Sequence, residues 1–251
     1  MTSYPKHGWL RVGARGLILR ALLFVSIAAP VAGTATAQTI RPVVVEYVGK
    51  KVKAKFELVN DTLKPLNVIL EPKSFDVTET GEAIYRPLDK SLHLKLSAMS
   101  LRIPPKQSHF IFFEAQTDSL PAWFVIPCVF AGLPKPTGLN IEIELPHTVY
   151  MLQKEPLRRE EVLIQTAVYS SAEKGILLEL ENQSAGLGRV LSVDAVAKGE
   201  KRTQPSFPLL PHSVRQIVIP WDLPQPPEKL ILRFNGFTIE RPLLEASQVA
   251  G

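Results

Sequence analysis

The chain is 251 residues long and holds 29 Lys and Arg against 24 Asp and Glu; Lys6, Arg11, Arg15 and Arg20 fall within positions 1–37, where there is no acid. Positions 38–251 therefore carry 25 basic against 24 acidic residues, which removes the surplus needed to displace counterions from nucleic-acid phosphate. Hydrophobic residues at 45% and charged residues at 21% exclude a disordered chain and supply enough apolar material for a packed core.

The first element in chain order is a leader. Three arginines precede the apolar run Ala21 to Gly33, which ends in Ala35-Thr36-Ala37. This order of positive, apolar and small residues predicts a secretory signal peptide over 1–37, cleaved after Ala37. The run is shorter than the ~20 residues that span a bilayer, and Pro30 interrupts it. No stable membrane insertion is expected after cleavage, and the mature protein is expected to be exported. Export would permit disulfides, but Cys128 is the only cysteine. It lies in the apolar run Ala122 to Ala131 and reads as a buried structural thiol.

The mature chain reads as short strands. Val52, Ala54, Phe56 and Leu58 alternate with Lys51, Lys53, Lys55 and Glu57, which gives a strand one buried and one wet face. Comparable stretches follow at Leu66 to Leu70, His109 to Ala115, Leu139 to Leu145, Glu161 to Tyr169, Ile176 to Leu180, Val190 to Val196, Val214 to Ile219 and Leu230 to Ile239. No window has the period of a long amphipathic helix. Two of the 22 prolines fall in the leader, leaving 20, and proline breaks helix interiors while tolerating strand ends and turns. The predicted class is all-β, as β-sandwich.

A pattern occurs twice. A strand ending at Asn60 turns through Asp61 to Pro65 into Leu66 to Leu70, and later Ile103-Pro104-Pro105-Lys106 leads into His109 to Phe113. In the second copy a strand ending at Glu181 turns through Asn182 to Gly188 into Val190 to Val196, and Leu210-Pro211-His212 leads into Val214 to Ile219. Two tandem immunoglobulin-like domains are expected, at 38–153 and 154–251. Asn60-Asp61-Thr62 and Asn182-Gln183-Ser184 match the glycosylation sequon, but a turn role suffices for both. Trp123 and Trp221 are read as core residues. Trp221, directly after Pro220, is expected to be the more exposed.

These residues resemble the periplasmic pilus-assembly chaperones of the chaperone/usher system, the PapD-like family. The resemblance rests on VKAKFELVNDTLKPLNVIL, RIPPKQSHFIFF, and AWFVIPCVFA followed by IEIELPHTVYML, and it is strongest from Val43 to Tyr150. It implies a chaperone that holds a secreted subunit with an incomplete sandwich by lending it the last strand of the first domain, with an outer-membrane usher as a further partner. The physics of such a contact is β-augmentation. Leu139, Ile141, Ile143 and Leu145 have the required alternation, and Arg41, Val43 and Val45 are the partner-binding positions implied early in the chain. Three such aliphatics, at roughly 1.5–3 kcal/mol each, would contribute a gross ~5–9 kcal/mol before ordering costs.

The sequence departs from that family in two places. The family pairs an early Arg with a Lys in the last strand to hold a terminal carboxylate; here the Lys position falls on Glu144 and the Arg position near Val44, with Arg41 the nearest base. The connection Gly132 to Gly138 is short and rich in Pro, which truncates the lending strand. A divergent member with a different client or anchor is the expectation.

Other chemistry lacks support. His93, His109, His147 and His212 show no metal-ligand spacing, and there is neither a GxSxG nor a phosphate-cradling glycine motif. No enzyme activity, metal or cofactor is expected. The row Lys51, Lys53 and Lys55 reads as a solvated, edge-protecting face. The alternative to a chaperone is a structural or adhesive surface module of two inert sandwiches.

Overall fold

The computed structural model describes residues 38–131 and 142–245. The leader, the Gly132 to Gly138 connection, Leu139 and Ile141 lie outside the described residues. Strand alternation dominates the rest, and apart from a short 3-10 turn at Arg159–Glu161 every regular element described is β.

The first half contains β1 (Gln38–Arg41), β2 (Val44–Val48), β3 (Lys51–Asn60), β4 (Leu66–Leu70), β5 (Lys73–Val77), β6 (Ala83–Pro87), β7 (Leu92–Leu96), β8 (Ser100–Ile103), β9 (Gln107–Thr117), β10 (Ala122–Ala131) and β11 (Ile143–Leu152). One sheet has the order β1-β3-β9-β7, and the other β2-β11-β10-β4-β8 with the β5–β6 hairpin attached through β10. In β3 the inward positions Val52, Phe56 and Leu58 are buried while Lys51, Lys53 and Lys55 stay in water. Phe56, Leu58, Ile111, Phe113, Phe124, Ile126, Phe130 and Val149 meet in one core, each side chain contributing about 1.5–3 kcal/mol.

The second half contains β12 (Val162–Ser170), β13 (Gly175–Asn182), β14 (Gly188–Ala197), β15 (Glu200–Leu209), β16 (Val214–Pro220), β17 (Lys229–Phe234), β18 (Thr238–Pro242) and β19 (Leu244–Glu245). Its sheets run β16-β13-β12-β19 and β15-β14-β17-β18. Ile176, Leu178, Leu180, Val193, Leu232 and Trp221 form a separate core. The chain is thus all-β and built of two immunoglobulin-like sandwiches, as its pattern predicts.

Three readings need correction. Trp221 is buried, at 1% exposure, whereas Trp123 is partly exposed. The Trp221 indole turns inward and donates to the Gln225 carbonyl at 2.8 Å, while its backbone N–H meets the Lys174 carbonyl at 2.8 Å. The stretch Leu230 to Ile239 is two strands, because Gly236 at φ 95° closes a hairpin between β17 and β18; a left-handed residue there suits Gly. The region from Lys73 to Leu96, to which the sequence reading assigns no alternating stretch, holds β5, β6 and β7.

The repeated Asn motif has a common structure. Asn60 is fully buried, and its Nδ2 donates to the carbonyls of Lys64 (2.8 Å), Ile103 (3.0 Å) and Pro104 (3.0 Å). Its Oδ1 accepts from the Thr62 amide and hydroxyl. Asn182 repeats this with the carbonyls of Gly186 (2.8 Å), Leu209 (3.2 Å) and Leu210 (3.0 Å), and with Ser184 on its Oδ1. Each Asn staples its own turn to the Pro-containing turn across the sandwich, where Lys106 and His212 take φ values of 58° and 51°. A fully buried amide demands partners, and each Asn finds all of its partners in the two turns, so both residues serve the turn.

Candidate functional site

The site is built from β11 and the two segments beside it. On one flank β11 pairs antiparallel with β10 in continuous register from Ile143 opposite Phe130 to Met151 opposite Ala122. On the other flank β2 pairs with it in parallel, and only from Thr148 to Leu152. Upstream of Thr148 that flank of β11 pairs with no strand among the described residues.

The place where β2 arrives is set by a sheet change. β1 pairs with β3 in the opposite sheet, Arg41 lying across from Glu57. After Pro42 the chain crosses to β11, where the Val43 carbonyl accepts from the Thr148 amide at 2.8 Å. His147 marks the junction, its Nδ1 standing 2.7 Å from the Pro42 carbonyl. A carbonyl only accepts, so Nδ1 carries the proton. The imidazole stacks on Phe56 at 4.3 Å and meets Phe113 edge-on. Its Nε2 is buried without a partner. Burial holds the His147 pKa below the ordinary value, an effect the Pro42 hydrogen bond partly offsets.

The structure distributes the sequence-read positions unevenly. Ile143 and Leu145 lie on the uncovered part of β11, both half-buried, with Glu144 exposed between them. Leu145 packs partly against the core of its own sandwich. Val43 and Val45 are brought beside β11, Val43 exposed and Val45 paired with Val149. Arg41 stays in the opposite sheet. Leu139 and Ile141, the outer half of the predicted lending segment, lie outside the described residues. Cys128 sits across from Leu145, fully buried. Burial, together with nearby Glu144, pushes its thiol pKa up to about 12, which leaves it un-ionised and inert at neutral pH.

Toward its C-terminal end β11 enters the joint between the sandwiches. Phe75, Val125 and Tyr150 pack there with Leu187 and Leu210 of the second sandwich. Arg189 pairs with Glu46, and its guanidinium lies 5.2 Å from the Tyr150 ring centroid. The Gln153 side chain donates to the Leu187 carbonyl at 2.9 Å and accepts from the Leu187 amide at 3.2 Å. The tip of the β5–β6 hairpin also docks on β16: the Gln216 amide donates to the Glu79 carbonyl at 2.7 Å, and Arg215 donates to the carbonyls of Thr78 and Glu79. Burial lowers the Arg215 pKa. Sequence reading missed His147, Arg189 and Arg215. Each meets partners that are distant in the chain, so none of the three carries a local signal.

Among the described residues no group of three or more His, Cys, Asp and Glu is placed to hold a metal, and no helix is long and apolar enough to cross a membrane. No protein-family model and no curated protein matches the sequence. Solved structures do match in shape. A chain from the complex of the Salmonella enterica SafA pilin with the SafB chaperone aligns over 82% of this chain and 96% of its own length, at 12% identity and a TM-score of 0.50. The Acinetobacter baumannii CsuC–CsuE chaperone and tip adhesion subunit pre-assembly complex gives 83% and 100% coverage, 14% identity and a TM-score of 0.48. The Pseudomonas aeruginosa CupB2 chaperone gives 82% and 100%, 10% and 0.47. The chain has the PapD-like, two-sandwich fold.

Proposed function

We propose that the protein is a periplasmic, non-catalytic assembly chaperone that holds secreted fibre subunits by adding a strand to them along the uncovered flank of β11. The observation that supports this reading is the late start of β2, which covers β11 only from Thr148 onward. Upstream, that flank of β11 is unpaired among the described residues, with Glu144 able to donate and accept and Pro146 able only to accept, and an unpaired flank is the template that β-augmentation uses. Ile143 and Leu145 continue the alternation of Leu139 and Ile141, so the lent segment offers an aliphatic row to a client groove, with Leu145 at its inner end also packed on its own core. We assign 1–37 to the export leader and place the boundary between the two domains after Gln153.

The carboxylate anchor of the resembled family has no equivalent at Glu144, and Arg41 is held in the opposite sheet. Affinity is therefore assigned to main-chain hydrogen bonds and the aliphatic row rather than to an ion pair. An outer-membrane usher is a further partner under this reading.

Co-expression with small secreted subunits of incomplete sandwich fold tests the proposal. The wild-type chain is expected to co-purify with such a subunit, and Ile141→Pro, which removes one backbone donor, to lose it while keeping the circular dichroism of the wild type. Equal capture by Ile141→Pro would refute strand donation from this segment. Absence of capture by the wild type would favour two sandwiches serving as surface spacers.

A further inference from the structure

The β1-β3-β9-β7 sheet presents an outer face that the strand-lending reading does not use. Its cross-strand rows follow from the register: Lys51, Gln116 and His93; then Lys53, Glu114 and Lys95; then Lys55 and Phe112; then Glu57 and Phe110. Glu114 is the single carboxylate in the first three rows. It is bound by Lys53 at 2.6 Å, and that hydrogen bond, with Lys95 adding a smaller effect, holds its carboxyl below the ordinary range. Among the described residues Lys51, Lys55 and Lys95 have no ion pair. A depression of about 570 Å³ lined by Lys51, Lys53, Leu88, His93, Lys95 and Glu114 runs along this face.

Solvation explains the lysines but not the aromatic residues beside them. Phe110 and Phe112 are 43% and 57% exposed, in the part of β9 that pairs with β3 alone, beyond the end of the β7 ladder at Leu96 opposite Phe113. Lys55 Nζ lies 4.3 Å from the Phe110 centroid and 6.0 Å from that of Phe112. Two phenyl rings standing in water under a lysine roof, next to a cationic depression, have the composition of a recognition surface.

We propose that this face docks an acidic polypeptide segment of another protein, its carboxylates meeting Lys51, Lys55 and Lys95 and an apolar side chain covering Phe112. The complementary charge is not available from this chain's own remaining segments: positions 1–37, 132–141 and 246–251 contain no Asp or Glu. A concave, row-patterned surface suits an extended chain better than a flat bilayer. The face belongs to the sheet opposite β11, so docking here leaves the lent segment free.

The whole chain is titrated with a fluorescent peptide of alternating Glu and Leu, with its Lys and Leu counterpart, and with phosphatidylglycerol vesicles. Expected are saturable binding of the acidic peptide alone, weakening as salt screens it, and about tenfold weaker binding for both the Lys51→Gln, Lys55→Gln double variant and Phe112→Ser. All of these positions are exposed, and unchanged circular dichroism confirms the fold. Ile141→Pro should bind the acidic peptide like wild type, which separates this face from strand lending. No binding, equal binding by the variants, binding of vesicles alone, or a wild-type dimer in sedimentation that the same variants dissolve would each overturn the proposal.

Discussion

The two sandwiches solve one topological problem in mirrored ways. In the first, an early segment, β2, runs parallel to the last strand, β11; in the second, the final segment, β19, runs parallel to the first strand, β12. Each covering strand is short, so each sandwich keeps an incompletely covered flank among the described residues. What separates them is regularity. The ladder of β11 with β10 runs without a shift, whereas β12 slips between Ile164 and Thr166 against β13, leaving Gln165 as an extra residue. A bulge twists an edge and spoils it as a template. The second sandwich is blunted where the first is left open, which is why the lending role is placed on β11 alone.

The comparison can be broken most severely at the shared Asn staples. Asn60→Ala and Asn182→Ala each remove a buried amide that donates to three turn carbonyls, and each is expected to cost about 3 kcal/mol in denaturant unfolding. Similar losses would support one ancestral turn used twice, and a loss confined to one variant would show that only one sandwich depends on it. A smaller, pH-dependent effect should distinguish the halves. His147 belongs to the first sandwich and is held neutral by burial, so its folded pKa lies below the unfolded value. Its stabilising contribution is full above about pH 6.5 and is lost as pH falls toward the folded pKa, because the unfolded chain then binds the extra proton. His147→Phe should flatten the unfolding profile in that window. Least costly to stability is deletion of Gln165, which regularises β12; the expected readout is self-association by light scattering, and a monomeric deletion variant would remove the bulge from the explanation.

Much of this architecture was legible from alternation. Leu66 to Leu70 was read as a strand and is β4, and the paired Asn turns pointed to two sandwiches because buried turn carbonyls recur wherever that corner is built. The missed strands are those in which alternation is weak. β5 and β6 are short and of mixed polarity, and β15 carries Pro205 and Pro208, tolerable because it forms a sheet edge with only β14 beside it. Trp221 was misjudged because Pro220 ends β16 without dictating where the next side chain turns. For the site, alternation reveals which face of β11 is apolar but not which flank is paired. That depends on where Pro42 releases the chain toward Thr148, a tertiary event with no local trace.

Cys128 gives the molecule a built-in gauge. As the lone sulfhydryl, it gives any alkylating reagent a single address, and a thiol kept protonated in the core between the two sheets reacts when the first sandwich opens. The rate at which the mass of the intact chain rises under such a reagent therefore times that opening, and a client that stiffens the first sandwich should slow the clock.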